Sequence, residues 1–352
     1  MRIGIIGHFA SQMDYCDGQT VKTRNLAALL GKDKQTQIVK VDTYLNRQGG
    51  FKNKIVLLLK SLSCLLRCNH IFLLVSEGGM RFYLPFLYYV NKVTRRRVYH
   101  YIIGSELLRL IDENPKLVKY LNALDVNWFE YESGTQYLRE KGVANAETLA
   151  NFKMITPVEA AVPYSAENGV FRFCTFSRVM EEKGITEAIK AVTNVNDAAG
   201  KTVATLDVYG PVDAGYADTF DRLLKENHSC VKYMGVADSG GSVEILKNYY
   251  ALLFPTHWDG EGVPGTIIDA FASGLPVIAS DWRANGELIT AGVEGMIYPN
   301  ADCEDLTQAV QRAVENAGTL AQMRPKSRAA FDQYTPETIL QAIRAKMQTA
   351  RE

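Results

Sequence analysis

The sequence has little from which to build a metal centre, a disulfide scaffold or a membrane span. Six cysteines are scattered over 352 residues, at 16, 64, 68, 174, 230 and 303, and no CxxC pair occurs. That spacing argues against a zinc site or a disulfide framework and fits a reducing, cytoplasmic setting. No Asp-x-Asp, His or Cys cluster follows a strand-type run, so no metal site is expected. No apolar run reaches the ~18–20 residues that a spanning helix needs. The opening Met1-Arg2-Ile3-Gly4-Ile5-Ile6-Gly7 is too short and glycine-broken for a signal peptide. Glycine and proline together number 38, too few for a low-complexity chain. There is no net charge and no repeat at solenoid periods.

What is present is a globular composition, 47% hydrophobic and 22% charged. That apolar share supports real cores and excludes disorder as the main state. At ~100–200 residues per domain the length suggests two domains. The zero net charge hides a dipole. Residues 1–160 carry a net +8, the remainder −8, and the first hundred residues +11. Such asymmetry suggests that the first half faces an anion.

Along the chain, short β-type runs alternate with helix-type segments. Strands are expected at Arg2–Gly7, Gln37–Val41, Ile71–Val75, Val98–Ile103 and Val126–Phe129. Helices are expected at Gly18–Leu30, with Val21, Leu26, Leu29 and Leu30 inward, and at Lys54–Leu66 and Phe82–Val93. The second half repeats the alternation, with strands at Phe171–Phe176, Leu206–Tyr209, Val231–Met234, Ala251–Phe254, Val277–Ser280 and Gly295–Tyr298. Helices between and after them fall at Thr186–Ala198, Tyr216–Glu226, Val243–Tyr249, Thr266–Ser273 and Asp305–Asn316. Strand–helix alternation implies βαβ units and parallel sheets covered on both faces. A break near Lys153–Ala166, with two prolines and few large apolar residues, divides the chain. The expected organisation is a first domain over 1–160, a second over 166–335, and a C-terminal helix over 336–352 free to cross back to the first.

In doubly wound sheets, ligands bind in the loops at the carboxyl ends of strands. After the run ending Phe254-Pro255 comes His257-Trp258-Asp259-Gly260-Glu261-Gly262-Val263-Pro264-Gly265-Thr266. A helix then starts near Gly265 and stops at Gly274. Free N–H groups at a helix start attract phosphate, and glycine lets the main chain approach it. Glu261 precedes that helix and Asp269 lies within it. Acids beside a phosphate make sense as acceptors for sugar hydroxyls. Ser177-Arg178-Val179-Met180-Glu181-Glu182-Lys183-Gly184 follows the first strand of the second half, and its Arg and Lys can clamp a diphosphate.

These residues resemble the nucleotide-sugar domain of the retaining GT-B glycosyltransferases of family 4, the glycosyl transferases group 1, over about residues 170–335. The shared pattern is Arg178 with Lys183-Gly184, the strand end Phe254-Pro255, Glu261-Gly262 followed eight residues after Glu261 by an acid, and Ala272-Ser273-Gly274-Leu275-Pro276-Val277-Ile278-Ala279-Ser280. The resemblance implies an α/β fold of two Rossmann-like domains facing across a cleft. It implies a metal-independent hexosyl- or related glycosyltransferase without a cofactor, using a UDP- or GDP-sugar as donor. In it, Arg178 and Lys183 hold the donor diphosphate, Glu261 contacts the donor sugar, and Gly262, Val263, Pro264, Gly265 and Thr266 present backbone to it. Asp269 binds the ribose, where the family usually has Glu. In the first half, Asp17-Gly18-Gln19-Thr20 stands at the family's Gly-Gly loop with one glycine of the two, and Gly18 reaches the donor phosphates or the acceptor. The family's usual histidine position holds Ile103. His100 reads as a sheet-face residue, His8 as a substitute, and His257 as a packing residue. Asn151-Phe152 resembles the family's segment leading into the second domain.

The expected function is sugar transfer with retention to a glycan or lipid-linked acceptor, in bacterial surface polysaccharide synthesis. The alternatives are a GT-B epimerase, a phosphorylase, or a non-catalytic nucleotide-sugar-binding protein. Basic residues around the apolar runs Lys52–Arg67 and Tyr83–Tyr89, with Arg95-Arg96-Arg97, further suggest an anionic membrane surface as a partner, on its inner face. Nucleic acid is not expected, since no binding motif with interleaved aromatics occurs.

Overall fold

The structure is a computed structural model that describes residues 1–11, 17–46, 51–238, 240–299 and 301–349, without the side chains of residues 46 and 51. It divides into two compact units, Met1–Met154 with Tyr334–Glu352, and Ile155–Gln333.

The first unit runs β1 (Arg2–Gly7), α1 (Gly18–Leu30), β2 (Gln37–Asp42), α2 (Phe51–Arg67), β3 (His70–Leu74), α3 (Glu77–Thr94), β4 (Arg97–Tyr101), α4 (Glu106–Glu113), α5 (Lys116–Leu121), β5 (Val126–Phe129), α6 (Glu132–Glu140) and β6 (Ala146–Thr148). Its six strands form one parallel sheet in the order β2-β1-β3-β4-β5-β6. Strands β3, β4 and β5 are buried along nearly their whole length, as strands covered on both faces must be.

The second unit runs β7 (Phe171–Phe176), α7 (Ile185–Ala199), β8 (Ala204–Tyr209), α8 (Ala217–Glu226), β9 (Val231–Gly235), α9 (Ser242–Leu246), β10 (Ala251–Phe254), α10 (Gly265–Ser273), β11 (Val277–Ser280), α11 (Asn285–Leu288), β12 (Gly295–Tyr298), α12 (Cys303–Glu315) and α13 (Ala317–Ala330). Its parallel sheet has the order β12-β11-β10-β7-β8-β9. The strand order reverses between β7 and β10, which makes the loops after these two strands the natural ligand position. The last helix, α14 (Pro336–Gln348), belongs to the first unit. Its Ile339 and Ile343 join a core with Ile3, Ile5, Leu26 and Phe72. Residues 350–352 of the expected C-terminal helix lie outside the described residues.

Local chemistry sets the element ends. The Asp17 carboxylate accepts from the Thr20 amide at 2.7 Å and caps α1, and Asp302 caps α12 through the Asp305 amide at 2.9 Å. Thr335 caps α14, with Pro336 in its first turn, where a missing N–H costs nothing. Gly274 ends α10 in the left-handed region, φ 65°. The segment between the units has no regular structure from 155 to 166, yet it is held on the second unit. Arg324 donates to Val162 O and Arg328 to Val158 O, each at 2.6 Å. Among the described cysteines all thiols are free; Cys16 lies outside the described residues.

Two expectations need correction. In α1, Val21 is only half-buried, while Lys22 and Thr23 are buried. Lys22 turns inward because a carboxylate, that of Glu130, waits there at 2.6 Å. Helix α9 ends at Leu246 rather than Tyr249. Tyr249 leaves the helix to donate to the Asp207 carboxylate at 2.7 Å, and its hydroxyl meets that of Tyr209 at 2.8 Å.

Candidate functional site

The candidate site lies on the two loops that flank the reversal of strand order in the second unit. The first leaves β7, exposes Arg178, and makes a single 3₁₀ turn over Glu181–Lys183 before Gly184. Gly184 has φ 71°, and a Cβ there would stand 2.2 Å from Pro255 O. Only glycine lets this loop close on the one after β10.

The second loop is pinned along its length. The His257 amide donates to Glu182 O at 2.9 Å, and the Thr256 hydroxyl oxygen lies 3.3 Å from the same carbonyl. Ser280 Oγ donates to Thr256 O at 2.7 Å. The Trp282 indole N–H donates to Trp258 O at 2.9 Å, and the Glu261 amide donates to the same oxygen at 3.1 Å. Arg283 pairs with Asp259 at 2.9 Å.

This closure joins two of the expected residues directly. Lys183 Nζ and Glu261 Oε2 are 2.5 Å apart, and both side chains are buried. Thr256 Oγ1 donates to the same carboxylate oxygen at 3.0 Å. Burial lowers the Lys183 pKa below the ordinary lysine value, and the attraction of Glu261 works against that shift. Lys183 Nζ also lies 4.5 Å from the ring centroid of Trp258, and the Arg178 guanidinium carbon lies 5.0 Å from it. Two expected residues, Arg178 and Lys183, thus lie against one indole that was not itself expected at the site. The signal for it was one large aromatic inside a glycine-rich loop.

Helix α10 begins after Pro264, which gives no side-chain cap, and its first turn carries no acid. Its leading N–H groups present partial positive charge. The Thr266 hydroxyl in that turn is buried without a hydrogen-bond partner. Gly262, Gly265 and Thr266 are half-buried, and Val263 and Pro264 are buried. Asp269, on the same helix, is buried, and Ser242 Oγ donates to it at 3.1 Å.

In the first unit, Gly18 is exposed at the start of α1. His8 is buried, with Nδ1 2.8 Å from Thr20 Oγ1 and 3.8 Å from the Asp17 carboxylate. His100 is fully buried on β4, its Nδ1 3.1 Å from Asn127 Oδ1. Burial holds its pKa down at about 4, with a minor push from Lys22. Ile103 packs on the first unit's core, and Phe152 lies within it. His257 is half-buried.

Residues 170–316 match the family Glycosyl transferases group 1. The amylovoran biosynthesis glycosyltransferase AmsK of Erwinia amylovora is 30% identical over 146 residues, 40% of this chain and 35% of that protein. An exopolysaccharide phosphotransferase of Streptomyces coelicolor is 29% identical over 83 residues, 23% of this chain and 9% of that one. The aligned stretch thus spans about a third or less of each curated relative. Among solved structures, Anabaena HepE in complex with UDP-glucose superposes with a TM-score of 0.72 at 13% identity, over 99% of this chain and 100% of that one. Sucrose-phosphate synthase from Thermosynechococcus elongatus gives 0.74 at 14% identity, over 99% and 98%.

The fold is of the GT-B class, two Rossmann-like units each built on a parallel six-stranded sheet. Within it, the stretch from 170 to 316, which matches the glycosyl transferases group 1 family, carries Arg178, Lys183, Glu261 and Asp269.

Proposed function

We propose that the protein is a glycosyltransferase that moves a sugar from a nucleoside diphosphate donor to a glycan or lipid-linked acceptor, with retention, in bacterial surface polysaccharide synthesis. The observation that carries this reading is the convergence of Arg178, Lys183, Glu261 and the uncapped start of α10 at the reversal of strand order. The bond that breaks joins the sugar's anomeric carbon to the diphosphate, so negative charge grows on the leaving group. Arg178, Lys183 and the α10 amides supply fixed positive charge for it, which is the largest task such a site has. Glu261, held by Lys183 and Thr256, faces the sugar hydroxyls, and the backbone from Gly262 to Thr266 lies along the donor. Asp269 accepts from the ribose, exchanging its bond from Ser242. Gly18 serves the donor phosphates or the acceptor from the first unit. The donor base is uracil or guanine, and no divalent metal is required, because cationic side chains do its charge work.

The reading includes peripheral contact with an anionic membrane surface on its cytoplasmic side. Among the described residues no helix is long and apolar enough to cross a membrane. On the surface of the first unit, α2 exposes Ile55, Leu59 and Leu66, and α3 exposes Phe82, Tyr89 and Val93. Each trio recurs at helical spacing and so forms one stripe. Lys52, Lys60 and Arg67 on α2, and Lys92 and Arg95 at the end of α3, are exposed as well. The two helices meet through Ser61 Oγ and Tyr83 OH at 3.1 Å. Apolar stripes edged with basic residues fit an anionic lipid surface.

A panel of nucleotides and nucleotide sugars, read by thermal shift, tests the core of this reading. The right donor is expected to stabilise by about 2.7 kcal/mol at ~100 Kd, more than its 2′-deoxyribose form, and to turn over with acceptor in the presence of EDTA. Binding without turnover would favour a sensor, and product from donor alone an epimerase.

A further inference from the structure

We propose that Trp258 is a positioning residue. Its indole holds Arg178 ready for the donor diphosphate without neutralising it. The inference rests on the donor-site reading above and adds a residue to it.

A long cation beside a phosphate site faces two demands. It must be ordered before the ligand arrives, and it must keep its charge for the ligand. A carboxylate partner meets the first demand at some cost to the second. An aromatic face orders the cation through its quadrupole and leaves the charge uncompensated. It suits arginine best, because the guanidinium can lie against a ring while its N–H edge stays free. Arg178 shows this arrangement. It is exposed, and none of the ion pairs among the described residues involves it, while its guanidinium carbon lies 5.0 Å from the Trp258 ring centroid. Lys183, against the same ring at 4.5 Å, is ordered instead by Glu261 and has further N–H donors left to offer a ligand.

The main chain that carries the indole is fixed. The Trp258 backbone N–H donates to Thr256 Oγ1 at 3.3 Å, and the Trp258 carbonyl accepts from the Trp282 indole and the Glu261 amide. The loop is tied to Glu182 O, on the same loop that carries Arg178. The backbone at Trp258 therefore has a set place relative to the β7 loop, and the ring it carries lies against Arg178 and Lys183.

The test is a double-mutant cycle read by titration calorimetry with UDP and GDP, using whichever binds more tightly. The matching nucleoside, lacking phosphate, is measured by competition. Trp258→Leu is expected to weaken nucleoside diphosphate binding roughly three- to tenfold and to leave nucleoside binding within about twofold. Trp258→Phe, which keeps an aromatic face and disturbs folding least, should fall between Leu and wild type. R178A should weaken diphosphate binding, and R178A with W258L should be no weaker than R178A alone. Multiplying losses, or parallel loss of nucleoside binding, would overturn the proposal and make Trp258 a surface that stacks on the ligand. Weakening by R178A with no effect of either Trp258 variant would overturn this inference alone. No effect of R178A would overturn the donor-site reading and this inference with it.

Discussion

Each unit buries one lysine–glutamate pair near the carboxyl ends of its strands, and the two pairs are built differently. In the first unit, Lys22 lies 2.6 Å from Glu130, donates to Ile102 O at 2.8 Å, and sits 3.6 Å from the Tyr101 ring centroid. Helix α1 is thereby bolted to the ends of β4 and β5. In the second unit, Lys183 lies 2.5 Å from Glu261, and among the described residues its ammonium donates to no backbone carbonyl. Around it stand an unpaired arginine, an indole and an uncapped helix start. A buried ion pair is weak evidence for stability or for function by itself. The groups around it decide. Lys22 spends its donors on the fold, whereas Lys183, among the described residues, gives only one hydrogen bond, to Glu261.

The sharpest way to break this contrast is Lys22→Met. It leaves Glu130 buried without its cation, and a loss of about 3–5 kcal/mol in chemical denaturation is expected. A change below 1 kcal/mol would mean that the pair is no bolt.

The first unit also buries His100 as the neutral ring. Burial depresses its pKa to about 4, against about 6.5 in the unfolded chain. As pH falls from 6.5 towards 4, the unfolded chain takes up a proton that the folded one refuses, so stability drops. The contribution is about 3 kcal/mol, fully present above pH 6.5 and lost progressively below it. Denaturation midpoints at pH 7 and 4.5 should therefore diverge less in His100→Gln than in wild type. Equal divergence would contradict the buried neutral ring.

A smaller effect separates the surfaces of the units. The first unit should sediment with anionic vesicles in low salt and be released as salt rises. Leu59→Glu on α2, a position 59% exposed, and Val93→Glu on α3, 85% exposed, should each reduce sedimentation several-fold, about 1 kcal/mol, without changing folding. Equal sedimentation with neutral vesicles, or none with either kind, would remove the membrane from the account.

Much of this architecture was legible in the sequence, for a physical reason. Parallel strands buried on both faces read as apolar runs, so Ile71–Val75 and Val126–Phe129 announced themselves, and their observed ends differ by a residue or none. Helices α4, α5 and α6 are only 8, 6 and 9 residues long, and β6 has three, so pattern had little to grip. Val21 and not Lys22 was placed inward because periodicity assigns charge to solvent, and only the distant Glu130 reverses that. At the site, Arg178, Lys183 and Glu261 were visible as residue types in strand-end loops, and Asp269 on the helix that follows. The Lys183–Glu261 contact was not, since it spans 78 positions and depends on β7 lying beside β10. Trp258 stayed hidden because its part comes from two neighbours and not from its own chemistry.

The central claim is that the lysine of the second unit serves a ligand and that of the first serves the fold. Nucleoside diphosphate affinity, measured by titration calorimetry on wild type, Lys183→Met and Lys22→Met under conditions where all three are folded, tests it most directly. The account predicts a loss of about tenfold or more for Lys183→Met, the worth of a charged hydrogen bond of about 1.5–3 kcal/mol, and a change within about twofold for Lys22→Met. Unchanged affinity in Lys183→Met, or equal losses in both, would contradict it.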